Sequence, residues 1–181
     1  MLEARQAPTA IHTEDLSTRK VADWTSSEID NEYRRIQRAA PAPALRVAWL
    51  ANHTIDATVR AATVFASLHE VIPDNSIAPY NQQFQVLLDP DSDILREGPD
   101  AVVLALSLRM LAPRLVGEGE PVTTDEVAAE IDRVFDQVAG CVAAAKNNTT
   151  AHIVLCNFPK PPTSRLGLAD SSRAEGDLAV Y

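Results

Sequence analysis

LRVAWLANHTIDATVRAATVFASL, Leu45–Leu68, is the stretch that decides the fold. The apolar run Leu45–Ala51 ends abruptly in the polar trio Asn52-His53-Thr54. A helical spacing of apolar residues then begins, with Val59, Ala62, Val64, Phe65 and Leu68 in one stripe. A buried parallel strand that feeds a loop and a crossover helix has this profile. In open parallel sheets, ligands bind where the carboxyl ends of the strands meet such loops, so the trio is the first place to look for a site.

The alternation repeats along the chain. Val71–Ala78 reads as a second strand, interrupted by Pro73 and therefore suited to a sheet edge. Tyr80–Leu88 reads as a short helix, and AVVLAL, Ala101–Leu106, as the clearest central strand. Thr123–Lys146 reads as a long helix with Thr124 as cap, acids in its first turn and Lys146 at its end. Val127, Ile131, Val134, Phe135, Val138 and Val142 are its expected buried face. AHIVLCN, Ala151–Asn157, is the fourth strand, and Pro159, Pro161 and Pro162 stop regular structure. The expected class is α/β: a flavodoxin-like three-layer sandwich with a mainly parallel sheet and right-handed crossovers.

Upstream, residues 13–39 carry apolar residues at partly helical spacing, and Asp23–Glu28 holds a capping pattern. Pro41-Ala42-Pro43 is a stiff spacer. The expected organisation is a helical arm over 1–40, an α/β domain over 44–163, and a tail over 164–181.

Composition narrows the partners. The 181 residues carry a formal charge of −9, which argues against nucleic acid, since phosphate attraction needs clustered Lys and Arg. No run reaches the roughly 18 apolar residues of a membrane span, so no membrane partner and a cytoplasmic setting are expected. Cys141 and Cys156 lack zinc or redox spacing and read as small apolar residues.

The chemistry-bearing candidates lie at strand ends. Asn52, His53 and Thr54 either hold an anion or carbonyl at a helix start, or merely cap that helix. Tyr80 and Asn81 follow strand two, Ser107 follows strand three, and Asn157 follows strand four. Asn81 either reaches a ligand or caps the short helix. Asp89-Pro90-Asp91-Ser92-Asp93 mimics an aspartyl nucleophile loop, but its sequence context fits an acidic turn better. No phosphate-binding glycine motif and no Gly-x-Ser-x-Gly elbow occurs. His152 opens strand four, at the opposite end of the sheet from these candidates. No catalytic residue, metal ligand or cofactor is assigned.

Taken in order, RVAWLANHTIDATV, IAPYNQQFQVLLDPDSDIL, GPDAVVLAL and HIVLCNFPKPPTSRLGLAD resemble the N-terminal region of FkbH-like proteins of polyketide assembly lines. The resemblance implies an SGNH-hydrolase-like α/β domain ahead of a haloacid-dehalogenase (HAD) type domain. In that family the second domain draws a glyceryl unit from 1,3-bisphosphoglycerate, with Mg²⁺ expected there, and loads it onto an acyl carrier protein. The implied partners are the carrier protein and the HAD domain, and the 164–181 tail would lead toward the latter. SGNH hydrolases place a nucleophilic Ser after strand one. This chain has Asn52-His53-Thr54 there, and no counterpart of their late Asp-x-x-His segment. The expected role is recognition rather than turnover, with an acyl hydrolase or transferase using the Asn52–Thr54 loop as the alternative.

Overall fold

The computed structural model describes residues 24–39, 42–116 and 123–158. In chain order the elements are α1 (Ser26–Ala39), β1 (Leu45–Ala51), α2 (Asp56–Leu68), β2 (Pro73–Ile77), α3 (Gln83–Leu88), α4 (Asp93–Arg96), β3 (Ala101–Ala105), α5 (Leu108–Leu111), α6 (Thr124–Asn148) and β4 (His152–Leu155). The protein is α/β, with a parallel four-stranded sheet in the order β2-β1-β3-β4. The residues 1–23, 40–41, 117–122 and 159–181, with the proposed arm and tail, lie outside the described set.

The chain divides into two compact units. One holds the chain up to Leu45 together with Asp56–Asp74. In it α1 and α2 pack through Trp24, Ile36 and Val64, with Ile29, Tyr33 and Ile72 around them. The helix start is a capping box: the Thr25 N–H donates to Glu28 Oε2 at 2.7 Å, and the Glu28 N–H to Thr25 Oγ1 at 3.3 Å. An Arg60–Asp30 ion pair at 3.2 Å ties the two helices.

The other unit, Arg46–Ile55 with Asn75–Tyr181, carries most of the sheet. β1 and β3 pair from Val47↔Ala101 to Ala51↔Ala105, and β3 and β4 from Ala101↔His152 to Leu104↔Leu155. Central strands with unbroken apolar runs are buried on both faces, and β1 and β3 follow that rule. Ala48, Leu50, Val102 and Leu104 build the core with Leu87 of α3 and Cys141 and Ala145 of α6. Burial pushes the Cys141 thiol above its ordinary range, so it stays protonated and inert.

Asp100 organises the base of the sheet. Its carboxylate accepts from the Arg46 N–H at 2.8 Å, its N–H donates to Arg46 O at 2.9 Å, and its carbonyl accepts from the His152 N–H at 2.9 Å. Arg46 also donates to Glu97 O at 2.6 Å, beside Gly98, whose φ of +65° is left-handed and suits glycine.

Several expectations need correction. The cap of α6 is Thr123, not Thr124, and it forms a full capping box with Glu126. Ile131 and Phe135 are 43% and 70% exposed rather than buried, and Cys141 and Ala145 take their place inside. The stripe is wider than the strip that the sheet can cover. The helix expected over Tyr80–Leu88 begins only at Gln83, because Asn81 adopts φ +58°, incompatible with helix. α4 and α5 are one-turn helices too short for a periodic signal. Asp89–Asp93 is an acidic turn, with the Asp91 N–H donating to Asp89 Oδ1 at 2.9 Å and Ser92 capping α4.

Thr123→Ala should cost about 1 kcal/mol, measured by chemical denaturation. The Thr123 backbone N–H and hydroxyl, then Arg114, hold the Glu126 carboxyl below its ordinary range. A depressed folded pKa contributes stability above the unfolded pKa and loses it as pH falls through the folded one. Thr123→Ala should therefore flatten the acid limb of the stability profile, read as a smaller loss between neutral pH and pH values below the carboxylate range.

Candidate functional site

Because the sheet is parallel, the residues that follow each strand gather at one edge. Asn52 and His53 follow β1, Tyr80 and Asn81 follow β2, Ser107 follows β3, and Asn157 follows β4. The register sets how they meet. Ala51 lies opposite Ala105, so Asn52 arrives beside the turn at Ser107.

Asn52 is 1% exposed and its amide is fully engaged. Its Oδ1 accepts from the Ser107 N–H at 2.7 Å, and its Nδ2 donates to Ser107 O at 3.1 Å. One side chain thus reads both backbone groups of Ser107, as a strand neighbour would, and extends the sheet by one rung. His53 Nδ1 lies 3.3 Å from the same Oδ1 and, when protonated there, adds a second donor. Asn52 therefore neither caps α2 nor points a free amide outward. Ser107 opens α5 without a side-chain cap bond and is half-buried.

The remaining candidates stand apart from that pair. Thr54, Asn81 and Asn157 are exposed, and Tyr80 is 61% exposed. Among the described residues no hydrogen bond joins any of them to Asn52 or Ser107. No described imidazole other than His53 belongs to this edge: His152 begins β4 at the far end, and His69 follows α2 in the other unit. Among the described residues no group of His, Cys, Asp or Glu is arranged to hold a metal ion. No described helix is long and apolar enough to cross a membrane.

Sequence reading missed Gln83. It is 1% exposed at the start of α3, directly after the Tyr80-Asn81 loop, and its Oε1 has no hydrogen-bond partner among the described residues. Its only signal is the Gln82-Gln83 pair ahead of the apolar run. A shallow cleft of about 300 Å³ near the start of α6 is lined by Arg114, Glu126, Glu130 and Arg133. Its charges are internally paired, Arg114 with Glu126 at 3.2 Å and Arg133 with Glu130 at 2.6 Å, so it offers no free cation to an anion.

Comparison with known proteins adds a fold likeness. The N-terminal part of the protein BF1531 from Bacteroides fragilis, described as containing a phosphatase domain complexed with Mg, superposes with a TM-score of 0.61. The likeness shows the fold alone. Identity is 18%, over 87% of this chain and 39% of that one, so this chain spans about two-fifths of that length. No protein-family model and no curated relative matches the chain.

Proposed function

We propose that this chain is an accessory, non-catalytic α/β domain of an FkbH-like assembly-line protein. It serves carrier-protein or intermediate recognition during formation of a glyceryl-S-carrier protein from 1,3-bisphosphoglycerate. The observation that carries the reading is the double hydrogen bond from Asn52 to Ser107. Where an SGNH hydrolase would present its serine, this chain spends a buried amide on holding two strands' ends together. Thr54, the nearest hydroxyl in the loop, is exposed and has no described base beside it. General-base activation requires a partner within about 2.6–3.2 Å. The fold likeness to BF1531, a protein described with a phosphatase domain and Mg, fits a parent in which phosphate chemistry resides elsewhere. Mg²⁺ would then belong to that HAD-type domain, and this chain would contact the domain and the acyl carrier protein.

Titration of the chain with cognate carrier protein, holo and glycerylated, tests the reading. Saturable binding that weakens on substitution of the exposed Tyr80 and Asn81 is expected. Absence of binding, together with unchanged glyceryl loading by a parent protein lacking this domain, would reject it. Turnover of simple esters or acyl-thioesters that disappears in Thr54→Ala would instead establish the hydrolase alternative.

A further inference from the structure

The apolar residues that α6 does not bury share one groove with the outer strand. Ile131 and Phe135 face a concavity of about 490 Å³ whose walls include Val142, Leu155 and Phe158. β4 is the last strand on that side, and its Val154 and Leu155 are 46% and 50% exposed. Parallel strands are ordinarily covered on both faces, and an open apolar patch of this kind marks a contact surface. The edge is open as well. His152 and Cys156 send their N–H groups toward β3, so by alternation the Ile153 and Leu155 N–H groups point away from it.

We propose that residues 159–169, PKPPTSRLGLA, form a strap that lies along the free edge of β4. In it Leu166 and Leu168 fill the groove, and main-chain carbonyls accept from Ile153 and Leu155. Three observations select this occupant. First, Phe158 lines the groove, so the segment begins at its rim. Leu166 follows eight residues later in the sequence. At about 3.3–3.6 Å per extended residue, that is ample reach to fold back. Tethering also gives the segment an effective concentration of order millimolar. Second, Leu166 and Leu168 are spaced by two, which puts both on one side of an extended segment, and the prolines ahead of them disfavour helix. Third, charge matches. Lys160 and Arg165 are the only charged residues from Pro159 to Ala169, in a chain of net −9. Asp132 and Asp136 are exposed on α6 on either side of Phe135 along the sequence. A second copy would bring the same acidic flank and the same −9 charge to the groove. The pairing is strand addition at a sheet edge, with the backbone supplying affinity and alternate side chains supplying register.

Hydrogen exchange on the full chain tests the strap through two amides. In the unaltered protein, Ile153 and Leu155 should be protected. In the L166D/L168D double variant they should exchange at least about tenfold faster, since two apolar anchors are lost, while Val154 keeps its rate. Free exchange at Ile153 and Leu155 in the unaltered chain would overturn the proposal, as would protection that survives the double substitution. Concentration-dependent protection accompanied by a sedimenting dimer, abolished by Phe135→Asp but not by L166D/L168D, would assign the groove to a second copy and equally overturn it.

Discussion

Asn52→Ala is expected to destabilise the protein by about 2–4 kcal/mol, although it deletes a single small polar side chain. The cost arises because the amide satisfies two backbone groups of Ser107 at 2.7 and 3.1 Å. A polar group stranded in the interior costs about 1–3 kcal/mol. Ser107 is half-buried, so water relieves part of that loss in the variant and keeps the total below the sum of two full penalties. Urea denaturation with an unchanged m-value is the measurement. A cost near zero would mean that the Asn52–Ser107 bridge contributes nothing. Asn52→Asp sharpens the test. The carboxylate still accepts from the Ser107 N–H but sets a second oxygen against the Ser107 carbonyl. That raises its folded-state pKa above the unfolded value, so the deficit should shrink as pH falls and grow as pH rises through the folded pKa.

Leu50→Ala, two residues earlier, should cost roughly 3–5 kcal/mol by a different mechanism. Leu50 is 0% exposed and belongs to the cluster with Leu87, Leu104 and Ala145. Truncation removes its burial and leaves a cavity between rigid strands that cannot close over it. Against a total of about 5–15 kcal/mol for a domain of ordinary stability, this single change should lower the urea midpoint severely. Leu88→Ala is the matched control. Leu88 is 63% exposed, and its truncation should stay within about 0.5 kcal/mol. Equal effects at the two positions would contradict the core described above.

Which parts of this structure could be read from sequence follows from the range of the interactions involved. β1 was legible to the residue, because a strand buried on both faces has nowhere to place a polar side chain and its ends are marked by the first ones. The order β2-β1-β3-β4 followed from alternating strands and helices, and Pro73 correctly marked an edge. Phe135 was misread because helical periodicity reports that a stripe is apolar, not how much of it a neighbour covers. Thr123 and Thr124 are equally good caps by type, and only the spacing to Glu126 separates them. The Asn52–Ser107 bridge spans 55 positions and depends on the register of β1 against β3, which no local pattern encodes. Gln83 was illegible for the same reason: its burial is decided by elements that are distant in the chain.

The Asp100 contacts at the base of the sheet have a consequence for the opposite end. A β-hairpin has its alignment dictated by a tight turn, whereas parallel neighbours are joined by long connections that leave the offset free. Here the offset is locked where Asp100 grips Arg46 and His152. From that anchor the strands count off in phase until Ala51 stands level with Ala105 and Asn52 reaches Ser107. A slip of one residue at the anchor would turn Leu50 and Leu104 to the other face and leave the Asn52 amide without its partner. The polar edge of this domain is thus aligned by a carboxylate at the far end of the strands, which acts as the zero mark from which every residue at that edge is measured.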